Sequence, residues 1–208
     1  MTTAGLKIPF KRLALPVIAM MAVVAASNVL VQHPVEQFGL QEFLTWGAFT
    51  YPLAFLVNDL TNRRFGPAGA RRVVYAGFAL AVLLSIWLAT PRIALASGTA
   101  FLFGQLLDIG VFNRLRRMSW WQAPLAGSLF GSAIDTALFF SLAFAGDADM
   151  SVPVTYASTG ITVPLWMGLA YFDFLVKFGF ALLALIPYGA LMGWLKPWTG
   201  APADTAAR

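Results

Sequence analysis

The chain contains no cysteine and a single histidine, His33. The first absence excludes disulfide frameworks, thiolate metal sites and cysteine nucleophiles. His33 falls in the polar stretch QHPVEQFGLQE, so no apolar segment holds a histidine metal site or a Ser–His dyad. No Gly-x-x-x-x-Gly-Lys-Ser/Thr run occurs, so the chain has no phosphate-cradling ATP loop of its own. Ser128, in AGSLFGS, resembles a nucleophile turn only superficially, because no base lies in its segment. Neither an enzyme nor a cofactor is expected. Charge is scarce too. Asp, Glu, Lys and Arg make up 11% of the 208 residues, against about a quarter in soluble domains. That is too little to cover a water-facing surface.

What fills the chain instead is apolar: 59% of it, with a mean hydropathy of +0.74. Runs near the roughly 20 residues needed to cross a bilayer fall at about 13–31, 43–61, 72–90, 96–115, 121–145 and 165–194. The expected fold is all-α: one polytopic membrane domain over 1–208 with six transmembrane helices. The first run is too long for the apolar core of a signal peptide and suits a span. The last exceeds the bilayer requirement and is expected to tilt, to kink at Pro187, or to extend beyond the membrane.

Basic residues set the orientation. On alternating sides, Lys7, Lys11, Arg12, Arg63, Arg64, Arg71, Arg72, Arg114, Arg116, Arg117, Lys196 and Arg208 share one side. Arg92 alone falls on the other, with Asp147 and Asp149. Both termini are therefore expected in the cytoplasm, as an even number of spans requires. The net charge of +5 needs no direct nucleic-acid partner, because basic cytoplasmic loops account for it. The turn between Arg63 and Arg72 contains Gly66, Pro67 and Gly69, which suit a tight reversal.

The informative residues are polar ones inside apolar runs. Asn58 and Asp59 end the second span, Gln105 and Asp108 sit midway along the fourth, Asp135 in the fifth, and Asp173 and Lys177 in the sixth. An ionisable group at a helix centre costs about 2.5–3.5 kcal/mol on insertion scales, so these groups must face one another, a wet cavity or a ligand. Gln105 and Asp108 are spaced i,i+3; Ser128, Ser132 and Asp135 share a stripe; Asp173 and Lys177 are i,i+4 in the favourable acid-first order. Gly104, Gly127 and Gly131, and the Ala22-x-x-x-Ala26 pair, permit close helix approach. Most tryptophans lie near span ends, as interfacial residues do. Phe49, Tyr51 and Phe101 lie deeper, where they can stack on a flat ligand.

Three segments in order carry a family resemblance: YPLAFLVNDLTNRRFGPAGARRVVYAGF, FLFGQLLDIGVFNRLRR and GSLFGSAIDTALFF. They resemble the queuosine precursor transporters of the vitamin-uptake transporter group, over roughly 45–195. The resemblance rests on Asp59, Asn62, Arg63, Phe65, Gly66, Arg71, Arg72, Tyr75 and Gly77 in the first segment. It implies a bacterial inner-membrane importer of 7-cyano-7-deazaguanine or its aminomethyl relative, salvaged for tRNA modification. Gln105, Asp108, Ser132, Asp135, Tyr51 and Phe101 are then candidate substrate-binding residues; Asn58, Asp59, Arg72, Asp173 and Lys177 are candidates for gating and coupling. A carboxylate, Asp108 or Asp135, can accept both N1–H and the exocyclic amine of a guanine-like edge. A subunit energised by a separate ATPase partner, and a homo-oligomer, both stay open at this point.

Overall fold

The computed structural model describes residues 9–31, 33, 35–36, 45–156, 160–195 and 197. Lys7, Lys196, Arg208 and most of the first loop lie outside the described residues. The elements are α1 (Phe10–Leu30), α2 (Gly47–Thr50), α3 (Leu53–Leu88), α4 (Pro91–Leu115), α5 (Gln122–Phe144), β1 (Pro153–Tyr156), β2 (Ile161–Pro164) and α6 (Leu165–Met192). Among them, five helical stretches are long and apolar enough to cross a membrane.

The protein is mostly helical, but two departures from the expected all-α, six-helix pattern have local causes. First, the expected second and third spans join in one helical run, α3, interrupted only at Gly66 (φ 72°, ψ −179°). A side chain is disfavoured there, whereas glycine is not. Pro67 follows, pre-set for the start of a helix. The chain folds back at this break. Tyr51 packs edge-on against Phe101 at 6.2 Å, and a Cβ at Gly77 would lie 3.2 Å from the same Phe101 ring. Along a straight helix, residues 51 and 77 would be roughly 39 Å apart. Second, the loop after α5 carries a short antiparallel hairpin, with Val154 opposite Val163 and Thr155 opposite Thr162. Runs of β-branched residues, Val154-Thr155 and Ile161-Thr162-Val163, favour it, and the two threonine hydroxyls meet at 2.8 Å.

The packing is inverted relative to a soluble protein. Leu15, Ile18, Leu83, Ile86, Leu95, Phe103, Phe130, Leu183 and Ile186 face outward, while Asn58, Asp59, Asn62, Gln105, Asp108, Asp135 and Lys177 are buried. A lipid-facing surface explains both halves of this pattern. The apolar core lies where α1 meets α3 and α4, around Leu13, Met20, Val73, Val74, Phe101 and Ile109. Helices α4 and α5 approach through glycine: a Cβ at Gly104 would lie 2.9 Å from both Asp135 Cβ and the Gly131 carbonyl. At one end, Thr90 caps α4, accepting from Ile93 N–H at 3.4 Å ahead of Pro91. Arg92 donates to the carbonyls of Leu142 (3.0 Å) and Ala145 (2.6 Å) at the C-terminus of α5. A cation suits a helix C-terminus in this way. Helix α6 is 28 residues long and has Pro187 inside it.

Candidate functional site

Two polar clusters occupy the space between α3, α4, α5 and α6, one above the other. The first is built around Lys177. Its Nζ lies 2.7 Å from Asp135 Oδ2 and 2.6 Å from Asp173 Oδ2, and donates to Thr136 Oγ1 at 3.0 Å. Thr136 in turn donates to Asp173 at 2.7 Å. The Tyr51 hydroxyl donates to the other oxygen of Asp135 at 2.8 Å, and the Lys177 ammonium sits 5.3 Å from the Tyr51 ring centre. No buried side-chain atom of this cluster is left without a partner, which is how charges survive burial in lipid.

This cluster lines a cavity of about 350 Å³. The wall also includes Ser27 and Asn28 of α1, Gly47 and Ala48, Ser97 and Ala100 of α4, and the aromatic run Phe139, Phe140 and Phe144 of α5. Helices α1 and α5 end, and α4 and α6 begin, around this cavity. A largely apolar, aromatic wall with a few convergent polar groups is the usual construction of a small-molecule site.

The second cluster lies two helical turns further along α3 and α5, about 10 Å deeper by helix rise. Asn58 Nδ2 donates to Asp108 Oδ2 at 2.7 Å and to the Gln105 carbonyl at 3.1 Å. Ser128 donates to Asp59 at 3.2 Å, and the Asp59 and Asp108 carboxyl groups interact directly. Here the hydrogen bonding is incomplete. Asn58 Oδ1 and both amide atoms of Gln105 are buried without a partner in the protein, and beyond Ser128 and Asn58 the Asp59 and Asp108 carboxyl groups have each other. Below it, Arg116 donates to the carbonyl and side chain of Asn62 at 2.9 and 2.7 Å.

Between the clusters sits Phe55, 2% exposed. Its ring is packed on α5 so closely that a Cβ at Gly131 would lie 2.7 Å from it. Tyr51 meets Phe55 edge-on above, at 6.5 Å between ring centres.

The sequence-derived candidates thus divide. Tyr51, Asp135, Asp173 and Lys177 meet in the cavity; Asn58, Asp59, Gln105 and Asp108 meet below it. Ser132 is buried on α5 but does not line the cavity, and Phe101 stands behind Tyr51 rather than in the wall. Arg72 and Asp59 are not brought together: Arg72 is exposed on the second half of α3, while Asp59 is buried against Ser128 and Asp108. Thr136, Phe55 and the phenylalanines of α5 were not among the candidates. Thr136 follows Asp135 directly, and that adjacency was the available signal.

This layout occurs in a chain whose relatives are transporters. Residues 45–90 and 84–192 match the family described as "Putative vitamin uptake transporter". The "Queuosine precursor transporter" of Escherichia coli (strain K12) is 37% identical over 83% of this chain and 83% of its own length. The chain belongs to this family. The "Probable queuosine precursor transporter" of Haemophilus influenzae is 34% identical over 82% of each chain. The protein of the same description from Bacillus subtilis (strain 168) is 28% identical over 78% of this chain. No solved structure matches. Within the family's matched region lie both polar clusters and every residue between them.

Proposed function

We propose that the protein is a bacterial inner-membrane importer of queuosine precursors, 7-cyano-7-deazaguanine or its aminomethyl relative, and not an enzyme. The observation that carries this reading is the cavity floored by Tyr51, Asp135, Lys177 and Asp173, set among apolar helices of a chain whose relatives carry that name. The cavity's volume and aromatic wall suit a flat bicyclic cargo. Two carboxylates share one ammonium there, so the floor carries one surplus negative charge, which suits the ammonium of the aminomethyl form. Asp135 and Tyr51 hold the cargo; Lys177 keeps Asp135 in place. In this reading the chain is a single membrane domain with six crossings. The fold-back at Gly66 supports two crossings by α3, and the arginines around it favour a cytoplasmic turn and cytoplasmic termini. The cavity then faces outward.

The test is salvage. The protein is expressed in bacteria unable to make or import these precursors, low concentrations of 7-cyano-7-deazaguanine are supplied, and queuosine is assayed in tRNA. Restoration is expected, with loss in Asp135→Asn while the protein still inserts. No restoration by protein shown to be in the membrane would overturn the cargo assignment. Uptake into liposomes holding only the purified protein separates a self-sufficient carrier from a subunit energised by a separate ATPase.

A further inference from the structure

We propose that the Asn58–Asp59–Gln105–Asp108 cluster is a second, inner binding station, reading the hydrogen-bonding edge of a planar lactam-amine heterocycle, and that Phe55 is the barrier between it and the cavity. The inference rests on the transport reading and adds a path to it. Its first support is the set of orphan atoms. Asn58 Oδ1 is an acceptor without a donor, the Gln105 amide offers an unpaired donor and an unpaired acceptor, and beside them Asp59 and Asp108 meet carboxyl to carboxyl, all buried. Buried polar groups left unpaired are destabilising, and they are retained where another state of the protein pairs them. A heterocycle presenting adjacent ring N–H and exocyclic amine donors beside a carbonyl acceptor supplies the complement: donors to the carboxylate oxygens, an acceptor to the Gln105 amide. In the Asp135–Lys177–Asp173 set above, by contrast, no buried side-chain atom is left without a partner.

The second support is position. Along α3, Tyr51, Phe55, Asn58 with Asp59, and Asn62 succeed one another at single-turn intervals. Along α5, Asp135, Gly131 and Ser128 do the same in reverse. The two ladders put a polar layer, an aromatic layer and a second polar layer in register. Phe55, seated against Gly131, is the one large side chain of these ladders between the two polar layers. A rotation of its ring, or a separation of α3 from α5, joins the cavity to the inner cluster.

Two measurements on the full-length protein test this. The first compares uptake of 7-cyano-7-deazaguanine with that of its analogue lacking the exocyclic amine, in wild type, Asp108→Asn and Gln105→Leu. Wild type is expected to prefer the amine-bearing probe by about tenfold or more, the scale of one lost buried hydrogen bond. In the variants that ratio falls towards one, because the groups that read the amine are gone. An undiminished ratio in both variants would overturn the inner station, whatever their absolute rates. The second measurement uses the cysteine-free background. In Ser128→Cys, a membrane-impermeant thiol reagent applied from the cavity side is expected to react slowly, and several-fold faster once Phe55→Ala is added. Equal rates would remove Phe55 as the barrier. Failure of wild type to take up any deazapurine while this labelling contrast persists would remove the transport reading and the cargo-reading role, leaving only the barrier.

Discussion

The Lys177 ammonium is held between Asp135 at 2.7 Å and Asp173 at 2.6 Å, so one cation on α6 ties down a carboxylate of α5 and one of its own helix. Lys177→Met leaves two carboxylates in the apolar interior with no counter-charge. A loss of about 3–5 kcal/mol in stability is expected, the scale of an uncompensated buried charge, read as a lowered Tm in detergent. Asp173→Asn is expected to cost far less. Asp135 keeps its ion pair, and the Asp173 side chain is 19% exposed against 4% for Asp135. Equal losses in the two variants would show that the triad is not arranged around Lys177.

The Tyr51 hydroxyl contributes one hydrogen bond to Asp135, while its ring packs between Phe55 and Phe101. Tyr51→Phe keeps the packing and removes the bond. It is expected to fold with a Tm near that of wild type, to lose about 0.5–1.5 kcal/mol of stability, and to transport several-fold more slowly. Tyr51→Ala opens the cavity floor and is expected to abolish transport. A Tyr51→Phe protein with wild-type uptake would confine Tyr51 to packing.

Much of this site was legible in the sequence because membrane burial makes polar residues conspicuous. Asp173 and Lys177 announce themselves by i,i+4 spacing, and Gln105 with Asp108 by sharing a face. Ser128, Ser132 and Asp135 do form one buried stripe. What spacing does not give is which helix faces which. Asp135 has no cation in its own helix, and its partnership with Lys177 depends on how α5 and α6 pack. The same blindness applies to Asp59 and Arg72, both gating candidates: they flank the Gly66 break but lie on opposite arms of the fold-back, one buried and one exposed. The hairpin escaped notice because its strands are only four residues long and sit in a loop otherwise rich in turn residues.

Glycine at the α4–α5 contact yields a paired prediction. A Cβ at Gly131 would lie 2.7 Å from Phe55 and 2.8 Å from the Gly104 carbonyl, so Gly131→Ala must push the helices apart. Overpacking of this kind costs about 1–3 kcal/mol. On the neighbouring helix, a Cβ at Gly110 meets nothing within 4 Å. Gly110→Ala is therefore expected to be neutral or to stabilise by about 0.5–1 kcal/mol, through helix propensity. Thermal unfolding of the two variants side by side measures the contrast, and a destabilised Gly110→Ala would count against the packing described.

The turn at Gly66 carries the last prediction, because the number of membrane crossings depends on it. Were Gly47–Leu88 one straight crossing, its 42 residues would span roughly 63 Å, twice the hydrocarbon core of about 30 Å. The fold-back divides it into two lengths that each fit; in the proposed six-crossing topology Ala68 lies at a cytoplasmic turn and Ala148 in the loop after α5 on the opposite side. Both positions are exposed, and the chain has no native cysteine to interfere. In intact cells, a membrane-impermeant maleimide is expected to label Ala148→Cys at once and Ala68→Cys only after the membrane is permeabilised. Labelling of both from outside would place the two turns on one side and rule out six crossings. Gly66→Ala probes the same turn by stability. Its positive φ is disfavoured for alanine by about 1–3 kcal/mol, so the Tm is expected to fall although the residue touches neither polar cluster.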